Sequence, residues 1–110
     1  PMKASNLTQR IQIERPIIRR DDYGAEIIEW QPESTVWANI RFPSGKEYQA
    51  GGVDLNSVAA SFRIRLNRRI HHQMRIIFRG QIYAILAILH DEQNREYTDI
   101  VANLQAGEGK

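Results

Sequence analysis

Three groups of residues have types and spacings that chemistry could use. They are Ser44-Gly45-Lys46, the histidines His71, His72 and His90, and a run of arginines between positions 63 and 79. Ser44-Gly45-Lys46 offers the lysine of a phosphate-cradling loop, but the first glycine and the Ser or Thr after the lysine are missing. His71 and His72 are adjacent, so on a strand they point to opposite faces and cannot ligate one metal together. His90-Asp91 is a pairing that orients an imidazole in hydrolytic triads, yet no motif places a nucleophile beside it. The remaining carboxylates are scattered. The residues therefore argue for a protein that is not an enzyme and uses no metal or cofactor.

The arginines are the stronger signal. No carboxylate falls between Asp54 and Asp91, while Arg63, Arg65, Arg68, Arg69, Arg75 and Arg79 all do. The net charge is only +2, so the distribution carries the information, not the total. A basic face of this kind attracts anions, either DNA phosphate or an acidic protein surface. The plainer alternative is a solvated sheet face whose arginine stems cover apolar neighbours.

Strands must position those arginines. Phe62, Ile64 and Leu66 alternate with Arg63, Arg65 and Asn67, and Met74, Ile76 and Phe78 alternate with Arg75, Ile77 and Arg79. Arg79-Gly80-Gln81 reads as a tight turn, with glycine supplying positive φ. Ile82 to Leu89 is apolar on both faces, which predicts a central strand covered on both sides.

Earlier in the chain, Ile11 and Ile13 suit a half-buried strand that ends, kinks or lies at an edge at Pro16. Asp21-Asp22-Tyr23-Gly24 is a turn signal. Ala25 to Trp30 gives a strand, Gln31-Pro32-Glu33-Ser34 a break, and Thr35 to Phe42 another strand. Residues 43–56 lose all periodicity and form one long loop, of the kind that carries function in a small β domain. After a polar turn at Asp91 to Arg95, Glu96 to Leu104 supplies a last strand. Trp30 and Trp37 are expected to plug the core.

The sum is an all-β protein: a small six- to seven-stranded antiparallel β-barrel or sandwich. At 110 residues, 42% apolar and 25% charged, it reads as one globular domain over 1–110, with 1–5 and 105–110 frayed. Without cysteine it has neither a disulfide framework nor a zinc knuckle. No apolar run reaches 18 residues and no signal peptide is visible, so a soluble protein with no membrane partner is expected.

Taken in order, LTQRIQIERP, DDYGAEIIEW, VWANIRFPSGKEYQAGG, FRIRLNRRIHHQMRIIFRGQIYAILAILHD and REYTDIVANLQAGEG resemble the phage head-tail joining proteins. These are also called head-closure, stopper or head-tail adaptor proteins. The resemblance rests on Trp37-Ala38, Gly45-Lys46-Glu47, the basic strand Arg63 to Arg65, and Arg75-Ile76, Gly80, Tyr83 and Ile85. It implies a β-barrel that assembles as a ring under the portal or its adaptor, retains packaged DNA and docks the tail. The implied partners are neighbouring copies, the portal or adaptor, a tail-completion or tail-tube protein and packaged double-stranded DNA. The implied location is the head-tail interface of the virion, after the host cytoplasm.

By the same resemblance Ser44, Gly45, Lys46, Glu47, Tyr48, Gly51 and Gly52 belong to a loop facing the channel or a neighbour. That loop departs from the family in its double glycine and its low charge. Reversing Arg63 and Arg65 together to glutamate is expected to leave the monomer folded and block particle completion. Two alternatives stand beside this reading: another tail-completion component, or an OB-like nucleic-acid-binding module. An OB-like module would need aromatics beside the basic strand, and Phe62, Tyr83 and Tyr97 are the candidates.

Overall fold

The computed structural model describes residues 6–42 and 60–105. Its elements are six strands: β1 (Gln9–Arg20), β2 (Glu26–Arg41), β3 (Ala60–Arg65), β4 (Arg75–Phe78), β5 (Gln81–His90) and β6 (Tyr97–Leu104). They close into an antiparallel barrel in the order β1-β2-β3-β6-β5-β4. The expected all-β class holds, with no helical element among the described residues. The loop expected over 43–56 lies outside the described residues.

Alternation explains the core. Ile11, Ile13, Ala38, Phe62, Ile64, Ile76, Ile100 and Ala102 point inward and are almost completely buried. Phe62 is the largest of them and meets Tyr83 and Phe78 edge-to-face, with ring centroids 5.1 and 6.2 Å apart. The crossover from β3 to β4 closes one end of the barrel with the buried side chains of Ile70 and Met74.

Three sequence expectations are corrected and one is narrowed to a single alternative. First, there is no break at Gln31 to Ser34. β2 runs through it, because Ile13 pairs with Ser34 while Glu14 pairs with Pro32, leaving Glu33 as a bulged extra residue. Second, of the three readings of Pro16 the edge position holds: β1 neither ends nor kinks away there but continues beyond it. β4 covers β1 only at Gln12 to Glu14, and β3 covers β2 only at Asn39 to Arg41, so both prolines lie where a strand has one neighbour. An edge tolerates the missing donor. Third, neither tryptophan plugs the core. Trp37 is 48% exposed and Trp30 half-buried, both on the outer surface.

Fourth, β5 is covered on both faces only at its start, where Ile82 and Tyr83 are both buried, and not along its whole length. A bulge between Ile85 and Ala87 shifts its register against β6. Tyr83 and Ile85 therefore face inward before the bulge, and Ile88 after it, while Leu89 is 52% exposed. One strand shows both phases, which in sequence mimics burial on both sides.

Two turns use the left-handed region. Phe78 pairs with Gln81 around Arg79 (φ 52°) and Gly80 (φ 78°), both positive, which makes a two-residue type I′ hairpin. In the β5–β6 turn, Asp91 accepts hydrogen bonds from the backbone N–H of Asn94 and Glu96, both at 3.1 Å. Those bonds, that from Asn94 first, hold its carboxyl below the usual aspartate range. Arg95 follows at φ 57° with its side chain exposed. Arg95→Gly is expected to raise stability by about 0.5–1 kcal/mol, since the relief of left-handed strain exceeds the added chain entropy. A lower urea midpoint for the variant would contradict this.

Candidate assembly interface

The sequence-adjacent arginines do not share one surface. β3 and β4 stand three strands apart whichever way the ring is followed, so Arg63 and Arg65 occupy one side of the barrel and Arg75 and Arg79 the other. Carboxylates missing from the 55–90 stretch reach several of them through the sheet. Arg63 faces its cross-strand partner Asp99, its Nε and Nη2 each 2.8 Å from a carboxylate oxygen, and its guanidinium lies 3.6 Å above the Tyr97 ring. Arg75 donates to Glu14 at 2.8 Å, again directly across the ladder, and stacks 4.1 Å from the Trp30 centroid.

Arg68 holds Glu92 through two contacts, at 2.9 and 3.2 Å, which push the Glu92 carboxyl below its usual range. Arg79 lies 5.0 Å from the Phe78 centroid and donates weakly to Gln9 at 3.4 Å. Arg65 and Arg69 are exposed with no carboxylate within ion-pair reach among the described residues. Three of the six guanidinium groups thus serve as cross-strand or turn staples, and two remain open for a partner.

His71 and His72 are exposed in the β3–β4 crossover. His90 is half-buried, its Nδ1 2.9 Å from the hydroxyl of the buried Thr98, which also accepts from the Asn67 N–H at 2.9 Å. Among the described residues no three His, Cys, Asp or Glu side chains converge as metal ligands. No helix there is long and apolar enough to cross a membrane. Ser44, Gly45, Lys46, Glu47, Tyr48, Gly51 and Gly52 lie outside the described residues.

Sequence reasoning missed two features. The first is an arm: beyond the barrel, β1 and β2 continue as a two-stranded ribbon that ends in the Asp21–Gly24 turn and lengthens the molecule to 51 × 28 × 25 Å. One face of the ribbon is laced by Arg15–Glu33 (3.2 Å) and Arg19–Glu29. On the other, cross-strand partners Ile18 and Ile28 are 60% and 55% exposed, close to Pro16 and Trp30. The signal was present in the unbroken pairing potential of residues 9–41, but two prolines concealed it.

The second is a cleft where β2 and β3 part after their short pairing. Leu7, Val36, Trp37, Ile64 and Leu66 line about 350 Å³ there, with Arg65 at the rim and Arg10 stacked 4.7 Å from the Trp37 centroid. A more polar hollow of about 420 Å³ adjoins it, lined by Asn6, Asn39, Arg41, Arg63, Glu96 and Tyr97.

The barrel has known counterparts. The solution structure of protein SF1141 from Shigella flexneri 2a superposes with a TM-score of 0.80 at 24% identity, covering 97% of this chain and 100% of that one. A chain from the virion of a native gene transfer agent particle gives 0.64 at 23% identity, covering 90% and 96%. At these identities the likeness establishes the fold alone. Among curated proteins none matches the sequence. The sequence itself supplies what the superpositions do not: residues 2–105, the barrel and its arm included, match the family model described as phage head completion protein, and to that family the chain belongs.

Proposed function

We propose that this protein is the head-closure subunit of a tailed phage or prophage. It assembles as a ring under the portal or adaptor, retains the packaged DNA and offers the tail its docking surface. Membership in the phage head completion family makes it a structural protein of the phage head and gives the virion as its location. The observation that carries the finer reading is the division of labour in the structure. A barrel with cross-strand arginine staples supplies a rigid block, and an arm with exposed isoleucines extends from it. Ring subunits need both a rigid body and a surface that is buried only on assembly. The 43–56 loop, by the family resemblance, faces the channel or a neighbouring copy.

The OB-like reading is weakened by the aromatics it depends on. Phe62 and Tyr83 are buried in the core, and the Tyr97 ring is already covered by Arg63. A base-stacking platform needs open ring faces beside the basic groove.

The test is a particle lacking this chain, produced by an early stop codon and complemented from a plasmid. Heads should package DNA, lose it again and remain without tails, and infectivity should return with the plasmid. Heads that never package, or a normal titre without complementation, would overturn the proposal.

A further inference from the structure

We infer that the arm of one copy docks in the Trp37 cleft of the next copy, so that the ring closes through a head-to-tail contact. This inference rests on the ring reading and names the surfaces that build it. Three observations converge on a second copy as the occupant.

The first is charge. Within residues 17–30 of the arm Arg19 pairs with Glu29 and Arg20 with Glu26, so its net negative charge sits at the tip on Asp21 and Asp22. The cleft is flanked by Arg10 and Arg65, for which no carboxylate lies within ion-pair reach among the described residues. An acidic projection and a basic recess on one chain are self-complementary between copies.

The second is apolar chemistry. Ile18 and Ile28 form an exposed aliphatic pair on one face of the ribbon, and Tyr23 at its tip is 95% exposed. The cleft presents Leu7, Val36, Trp37, Ile64 and Leu66, with Trp37 half-exposed over it. Its volume of about 350 Å³ accommodates one or two aliphatic side chains. An aromatic anchor in a recess rimmed by guanidinium groups is the composition of an interface centre.

The third is reach. Ile28 and Thr35, which also lines the cleft, belong to one extended strand and are separated by roughly 23 Å. No chain can insert its own arm into its own cleft. A contact between two different patches of identical subunits is heterologous, and such contacts generate rings when the rotation closes. At the cleft the β2 edge at Thr35, Val36 and Trp37 is left unpaired by β3, so backbone hydrogen bonds are available there to an incoming ribbon.

Cysteine pairing tests the contact, because the natural chain has no cysteine. The double variant Ile28→Cys/Thr35→Cys cannot form an internal disulfide, since bridged residues need Cα atoms within about 7 Å. In oxidised particles it should give a ladder of covalent multimers beyond the dimer, and each single variant should remain monomeric. Dimers from Ile28→Cys alone would indicate a symmetric arm-to-arm contact and overturn the inference. So would a double variant that enters particles yet stays monomeric, and in that case the ring reading survives. Absence of the unmodified protein from the connector would instead overturn the ring reading itself.

Charge exchange decides the matter should the cysteine pair prevent incorporation. Asp22→Arg should lower incorporation by about tenfold or more, and adding Arg65→Glu should restore most of it. Failure of the exchanged set to recover, with each protein folded by circular dichroism, would overturn the contact.

Discussion

Phe62→Ala is expected to cost the barrel about 3–5 kcal/mol, the largest loss from any single truncation among the described residues. Phe62 is fully buried on β3, and its ring meets Phe78 and Tyr83 from the opposite wall. Removing it leaves a cavity that strands held by ladder bonds on both sides cannot collapse to fill. The loss is a large fraction of the roughly 5–15 kcal/mol that stabilises a small domain, so the variant should unfold at a much lower temperature and urea concentration. Trp37→Ala removes a larger side chain but should cost no more than about 1 kcal/mol, because Trp37 packs outward beneath Arg10. Urea midpoints of the two variants decide it. Similar losses would mean that Trp37 supports the core after all.

That pair of variants shows what the sequence makes legible and what it does not. The strand Thr35 to Phe42 puts Val36, Ala38 and Ile40 on one face and Trp37 on the other, and the structure keeps that alternation. The expectation of a core tryptophan failed because it followed residue type over phase. A small barrel has room inside for one aromatic cluster, and Phe62, Phe78 and Tyr83 fill it. Elsewhere phase itself misled. The bulges at Glu33 and between Ile85 and Ala87 insert a single residue each, and one residue reverses every side chain that follows. No local composition marks them, because a bulge is set by the strand opposite.

The strand positions and the type of fold were accessible because period-two alternation is a local property. The arginine constellation was not. Six arginines close in sequence read as one basic face only if β3 and β4 are neighbours. In the closed order of strands they stand on opposite walls, with carboxylates from β1 and β6 beside Arg75 and Arg63. Long-range pairing decides which charges are spent inside the sheet and which remain for a partner.

Arg63→Glu and Arg65→Glu should accordingly behave as opposites, although the two residues sit two apart on one strand. Arg63→Glu removes two hydrogen bonds to Asp99 and the stacking on Tyr97, and places a second carboxylate beside a largely covered one. Breaking a buried pair costs 3–5 kcal/mol, and partial exposure of Arg63 lowers the figure here to about 2–3 kcal/mol. Arg65 is exposed, with no ion pair among the described residues, so Arg65→Glu should change stability by less than about 0.5 kcal/mol. The double reversal is therefore expected to lower the stability of the monomer as well as its charge, so a loss of particles from it would not by itself report a lost contact. Arg65→Glu alone separates the two effects: a normal urea midpoint together with defective particle completion places Arg65 at an assembly contact. A midpoint lowered as far as that of Arg63→Glu would show that Arg65 is a staple of the barrel, and the division between spent and available arginines would fall.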